Sequence, residues 1–236
     1  MSKFKTALQN NWFYFGLFVI LYILLAFFHE PMYDEAQAWM IARDASWYEL
    51  FLEIPHYEGH PPLWHLILAV FAKSGLSIDI GLRIPGAIFS IATAWFIIFK
   101  SPFPKTVRFA LPFTYYIFFR YSIVVRPYCI TMLAFCLAAL AYRKRAEKPF
   151  VFAAALMLLC MSNAYGMMFA AGICVVWIIE LFTDIKEHRG RQIAAMGILL
   201  VCNIAQLLLM LPKDDTNSVA TFSIGTILYG LVYMFI

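Results

Sequence analysis

The chain has 236 residues, of which 63% are apolar and 14% charged, with a mean hydropathy of +0.77. Soluble domains sit near roughly 45–50% apolar and about 25% charged, so this composition excludes an ordinary soluble enzyme and implies an integral membrane protein. The net charge of +4 does not point to nucleic acid as a partner, because the lysines and arginines lie in short clusters between apolar runs, as topology signals do. The five cysteines, at 129, 136, 160, 174 and 202, lie within or at the ends of apolar runs, without the short paired spacings of metal or redox sites. They read as packing residues.

The first apolar run, residues 12–28, is too long and too aromatic for a signal-peptide core. No small-residue cleavage site follows it, so it reads as a retained span. An outer loop covering residues 29–81 comes next, and half of the carboxylates in the chain fall in its first part, before the apolar run at 63: Glu30, Asp34, Glu35, Asp44, Glu49, Glu53 and Glu58, with Arg43 as the one cation among them. Residues 34–54 predict a first juxtamembrane helix, with Ala36, Trp39, Met40, Trp47, Leu50, Phe51 and Ile54 roughly on one side at helical spacing. Residues 61–75 predict a second. Their apolar core of ten residues is the length of an interfacial piece rather than a crossing.

Six further spans are predicted within residues 82–211, and the run 222–236 reads as an incomplete or additional span in a chain that stops inside an apolar segment, as a fragment of a longer enzyme would. Cations cluster at Lys3/Lys5, Lys100/Lys105/Arg108, Arg143/Lys144/Arg145/Lys148 and Lys186/Arg189/Arg191. The positive-inside rule wants all four clusters in the cytoplasm, which requires an even number of crossings between each pair. The expected fold is therefore all-α. It is a single polytopic bundle over residues 1–236 with about seven or eight transmembrane helices and two juxtamembrane amphipathic helices in the first outer loop. The amino terminus is cytoplasmic, and the acidic loop, the break at 163–166 and the loop at 212–220 share the outer face. Short loops favour a bacterial inner (plasma) membrane.

Several residues could carry chemistry. Asp34 and Glu35, just past the first span, could act as a general base towards a hydroxyl or amine, or as ligands for a divalent cation. Acids in the first turn of a helix also suit its dipole with no chemistry at all. His56, Glu58 and His60 have the donor types of a zinc or manganese site and serve as candidate acceptor or metal groups; a loop that is polar because it faces water explains them equally. Arg120 falls about 16 Å into the run 109–125, near the bilayer middle, and Arg126 about 26 Å, near its outer surface. A mid-membrane arginine normally faces a polar cavity or a partner, the alternative being snorkelling from a shifted span. Arg126 and Tyr128 could hold an anionic head group in a two-pronged grip or act as interfacial anchors. Lys73 and Arg83 add cations on the same face.

These segments resemble a known family. The aspartate and glutamate after the first span, the helix behind them, Gly59-His60-Pro61-Pro62-Leu63-Trp64, Leu82-Arg83-Ile84-Pro85-Gly86 and Arg126-Pro127-Tyr128 look like the amino-terminal module of GT-C-type glycosyltransferases. Within that superfamily the likeness is to bacterial relatives of the protein O-mannosyltransferases and of the lipid A aminoarabinose transferase. It covers most of residues 12–211. The resemblance implies seven spans with two juxtamembrane helices and an inverting transfer of a sugar from a polyprenyl-phosphate donor to a glycan, lipid or protein acceptor. Asp34 then serves as base with Glu35 beside it, and Arg126, Tyr128, Arg83, Lys73 and Arg120 attend the donor phosphate. Many relatives carry a second acid in the outer loop after the third span; here that loop reads Val125-Arg126-Pro127-Tyr128-Cys129, without one. A lipid or small-molecule transporter, or a non-catalytic truncated subunit, are the competing functions. A transporter expects charges on several helices and internal repeats, whereas Arg120 stands nearly alone and no repeat is visible.

Overall fold

A computed structural model of the protein describes residues 10–183 and 188–213. The lysines at 3 and 5, Lys186 and the run 222–236 lie outside the described residues, which are helical with no strand among them. The first helix, α1 (Asn11–Phe28), starts where the Asn10 side chain accepts the Trp12 N–H at 2.9 Å, a side-chain cap on one of the unpaired amides of the first turn.

Residues 34–54 form three helices rather than the one expected: α2 (Tyr33–Asp44), α3 (Trp47–Leu52) and, overlapping the end, α4 (Ile54–Glu58). The break after Asp44 arises because Ser46 starts a new helix. Its hydroxyl accepts the Glu49 N–H at 3.2 Å, and the Glu49 carboxylate accepts the Ser46 N–H at 2.7 Å, a reciprocal pair that satisfies two end amides at once. Gly59, at φ 63°, ends α4 in the left-handed conformation that glycine adopts without steric cost. The apolar face expected over 34–54 is split by these breaks: Trp39 and Leu50 are buried, whereas Met40, Trp47 and Phe51 are exposed.

The short helix α5 (Leu63–Ala72) follows, then α6 (Ile78–Lys100). Trp39 lies on α6 at Gly81, where a Cβ would come within 2.0 Å of its ring, so α2 docks against α6 and α5 in one apolar cluster. The run 109–125 is not one helix. It comprises α7 (Lys105–Ala110), a 3-10 turn (Leu111–Phe113), an extended residue at Thr114 and a nine-residue π-helix (Tyr115–Ile123). Pro112 has no N–H to continue the helical ladder and the chain straightens at Thr114, so the depth of Arg120 cannot be counted from Phe109 at a constant rise. In the π-helix, Ser122 Oγ donates to the Ile117 carbonyl at 2.6 Å and the Val124 N–H to that of Phe119 at 3.0 Å, each five residues back.

The bundle is completed by α8 (Tyr128–Tyr142), α9 (Pro149–Ser162), α10 (Ala164–Thr183) and α11 (Arg189–Met210). The turn from α9 to α10 has a single non-helical residue, Asn163, whose Oδ1 accepts the Gly166 N–H at 2.7 Å. A side chain at 166 would meet the Leu159 carbonyl at 2.2 Å, so glycine is what lets the two helices join so closely. Phe152 and Trp177 pack at the centre of the α8–α11 cluster. Among the described helices, α1, α6, α10 and α11 are long and apolar enough to cross a membrane.

One buried side chain ties three of these pieces together. Glu35, 1% exposed, accepts the Val125 N–H through Oε1 at 2.7 Å, and the Met32 N–H and the His29 Nε2–H through Oε2, both at 2.9 Å. The end of α1, the start of α2 and the chain entering α8 thus share one carboxylate. Glu35→Gln presents an amide donor to at least one of these donors, leaving a buried group unpaired, and should cost about 2–4 kcal/mol. Thermal unfolding in detergent measures it; an unchanged midpoint would contradict the assignment.

Candidate functional site

Asp34 precedes Glu35 and Arg126 follows Val125, so the Glu35–Val125 hydrogen bond brings their neighbours together. Asp34 Oδ2 and Arg126 Nη1 lie 2.9 Å apart in a half-exposed ion pair. The guanidinium carbon of Arg126 also sits 5.4 Å from the centroid of the Tyr128 ring, within the range of a cation–π contact.

This pair borders a cavity of about 170 Å³ lined also by Gln37, Glu58, His60, Trp64 and His65. Gln37 Nε2 donates to Glu58 Oε1 at 3.3 Å, which holds the end of α4 over α2. A second cavity, of about 490 Å³, shares Arg126, Tyr128, Asn163 and Tyr165 with the first and adds Tyr116, Arg120 and Tyr121 from the π-helix. Asn163 Nδ2 donates to Thr131 Oγ1 at 2.7 Å, and the Thr131 and Ser162 hydroxyls pair at 2.9 Å, so the wall common to both cavities is a buried, hydrogen-bonded network. Such a network holds its shape because each group would be costly to leave unpaired.

Electrostatics divide the site in two. Burial pushes the His65 imidazole down to about 4, and His60 beside it acts in the same direction. Burial also lowers His60; Glu58 opposes the shift and Arg126 adds to it. At neutral pH the His65 ring is therefore uncharged. The formal charges on the cavity side chains are those of Asp34 and Glu58 against Arg126 and Arg120, with the two arginines together in the larger cavity.

Of the candidates from sequence, Asp34, Glu58, His60, Arg126 and Tyr128 border one cavity, and Arg120 the adjoining one. Four others lie elsewhere. Glu35 is spent on the three hydrogen bonds above. Lys73 Nζ donates to the carbonyls of Arg43 at 3.0 Å and Ala45 at 2.5 Å, closing the end of α2. Arg83 donates to the Phe27 carbonyl at 3.2 Å at the end of α1 and sits over the Phe27 ring. His56 Nδ1 meets the Leu211 carbonyl at 2.6 Å and so turns towards the end of α11, where Lys213 and Glu53 also meet at 3.4 Å. His56 therefore does not converge with Glu58 and His60. Among the described residues no three His, Cys, Asp or Glu side chains come together as metal ligands.

His65, Gln37, Asn163 and Tyr165 belong to the site without having been singled out. His65 had a signal, as the one histidine in an apolar run five residues after His60; Asn163 and Tyr165 had only the break between two apolar runs. Chemically, the arrangement offers a carboxylate that can accept a proton, two guanidinium groups for an anion and two imidazoles, His60 exposed and His65 buried.

The lowered His65 carries a pH consequence. An unfolded imidazole protonates near 6.5 and the folded one near 4, so between these values the unfolded state binds more protons and stability must fall as pH falls. The thermal midpoint in detergent should drop between pH 7 and 5, and His65→Asn should flatten that slope. An equal slope in both proteins would refute the effect.

No protein-family model, curated protein or solved structure matches this chain in comparison.

Proposed function

We propose that this chain is a membrane glycosyltransferase of the GT-C type, moving a sugar from a polyprenyl-phosphate donor to a hydroxyl or amine acceptor at the outer face of a bacterial inner membrane. The observation that carries this reading is the Asp34–Arg126 pair at the junction of two cavities, 2.9 Å between charged atoms. A proton acceptor and an anion holder are already adjacent, as a direct displacement at an anomeric carbon requires.

In the proposed step, the acceptor oxygen or nitrogen attacks the anomeric carbon and gives its proton to Asp34. The bond from that carbon to the phosphate oxygen breaks with its electron pair, and polyprenyl phosphate leaves. Its developing charge falls to Arg126 and Arg120, which line the same cavity. A guanidinium matches phosphate oxygens in a two-pronged geometry, so an arriving donor competes with Asp34 for Arg126 and frees the carboxylate to act as base. No step needs a metal.

The membrane arrangement proposed with it has seven crossings among the described residues: α1, α6, the broken segment from α7 through the π-helix, α8, α9, α10 and α11. What supports it is that the contacts of His56 with Leu211 and of Glu53 with Lys213 join the first loop to the far end of α11, as the even number of crossings between them demands. Lys100 and Arg143 stand at the ends of α6 and α8 remote from Asp34, in agreement with a cytoplasmic side rich in cations.

The test is incubation of the purified protein with a panel of polyprenyl-phosphate sugars, measuring release of polyprenyl phosphate. Asp34→Asn should lower the rate by about 10²-fold or more, the scale of general-base catalysis, while the protein still inserts; a fully active variant would remove Asp34 from the mechanism. Arg126→Lys keeps the charge but loses the two-pronged grip, and should raise the donor KM more than it lowers kcat. Unchanged donor saturation would show that Arg126 does not touch the phosphate.

A further inference from the structure

A third cleft, of about 480 Å³, runs along α8 towards its Arg143 end. Met132, Phe135, Cys136, Ala139, Leu140 and Arg143 line it, spaced i, i+3, i+4, i+7, i+8 and i+11. That is one face of a helix, about 16 Å long at 1.5 Å per residue. The rest of the face is apolar and the cleft opens to the surroundings of the bundle.

Its charge is one-sided. Lys100, the last residue of α6, and Arg143, which caps α8, both line the cleft, and no carboxylate does. Neither cation is in an ion pair among the described residues, and Lys100 Nζ lies 5.2 Å from the Trp95 ring centroid. Cations at helix C-termini are ordinary by themselves. Here two of them, from different helices, head a single apolar channel free of acid.

We propose that this cleft binds one anionic phospholipid, its phosphate held by Lys100 and Arg143 and one acyl chain laid along α8. Basic pockets between membrane helices select anionic head groups, and the planar fork of arginine suits a phosphate diester. A zwitterionic lipid would bring its own ammonium against both cations. The chain is accommodated by the apolar face, which reaches Met132 and Phe135, residues that the larger Arg120 cavity also shares. The inference rests on the membrane character of the protein and not on sugar transfer, so an inactive protein leaves it intact.

The experiment titrates the full, delipidated chain in detergent with phosphatidylglycerol or phosphatidylcholine of the same acyl chains, counting bound lipid by native mass spectrometry. The wild type should hold one phosphatidylglycerol with a dissociation constant about tenfold or more below that of phosphatidylcholine, as two cations near an anionic head group imply. Equal affinities overturn the proposal before any variant is made. Lys100→Gln with Arg143→Gln should bring phosphatidylglycerol to the phosphatidylcholine level, whereas Lys144→Gln with Lys148→Gln, which removes the same charge outside the cleft, should leave the preference in place. If the second pair abolishes it equally, overall positive charge and not this cleft selects the lipid, and the proposal fails.

Discussion

The Glu35 carboxylate is the constraint on which the rest of this arrangement depends. Buried, with three donors converging on it from His29, Met32 and Val125, it cannot shift without leaving a charge or an amide unpaired in a poorly solvated place. Each partner belongs to a different stretch of chain, so one side chain fixes the end of α1, the start of α2 and the entry to α8. Asp34 and Arg126 are the immediate neighbours of two of these groups. Their ion pair is half-exposed and contributes little by itself; its geometry comes from the buried bond beside it.

This explains why so much of the site was legible in the sequence and why some of it was not. The alternation of apolar runs and cationic clusters gives each residue a depth, and Asp34, Glu58, His60, Arg126 and Tyr128 do lie around one cavity. Depth is a single coordinate. Lys73 and Arg83 have the same expected depth but sit elsewhere around the bundle, drawn to the open carbonyls at the ends of α2 and α1. Helix ends expose unpaired carbonyls to any nearby donor, and hydropathy cannot rank that attraction against an anionic ligand. Glu35 was read as a partner in chemistry because it adjoins Asp34; only packing reveals that the two carboxylates turn in different directions, one inward and one towards the cavity.

Local chain geometry was the other hidden part. The run 109–125 has the length of a span, yet Pro112, an extended Thr114 and a π-helix divide it. An i→i+5 repeat is rare and gathers at functional sites; here it brings Tyr116, Arg120 and Tyr121 to the cavity that Arg126 also lines. The same limit applies to residues 34–54, where apolar spacing suggested one helix and the Ser46–Glu49 cap divides it.

On the proposed reading, the departure from the resembling family acquires a physical sense. Where a second acid would stand, the chain has Arg126, and it pairs with Asp34 directly. Two carboxylates need a cation between them to share a small site without repelling; a carboxylate and a guanidinium do not. On that reading the arginine puts phosphate stabilisation on a protein guanidinium. It also makes the resting state self-neutralising, because the base is masked until an anion claims the guanidinium. The neutral His65 imidazole on the wall of the same cavity fits that logic: a charged ring there would offer Asp34 a second partner and weaken the link between donor arrival and the freeing of the base.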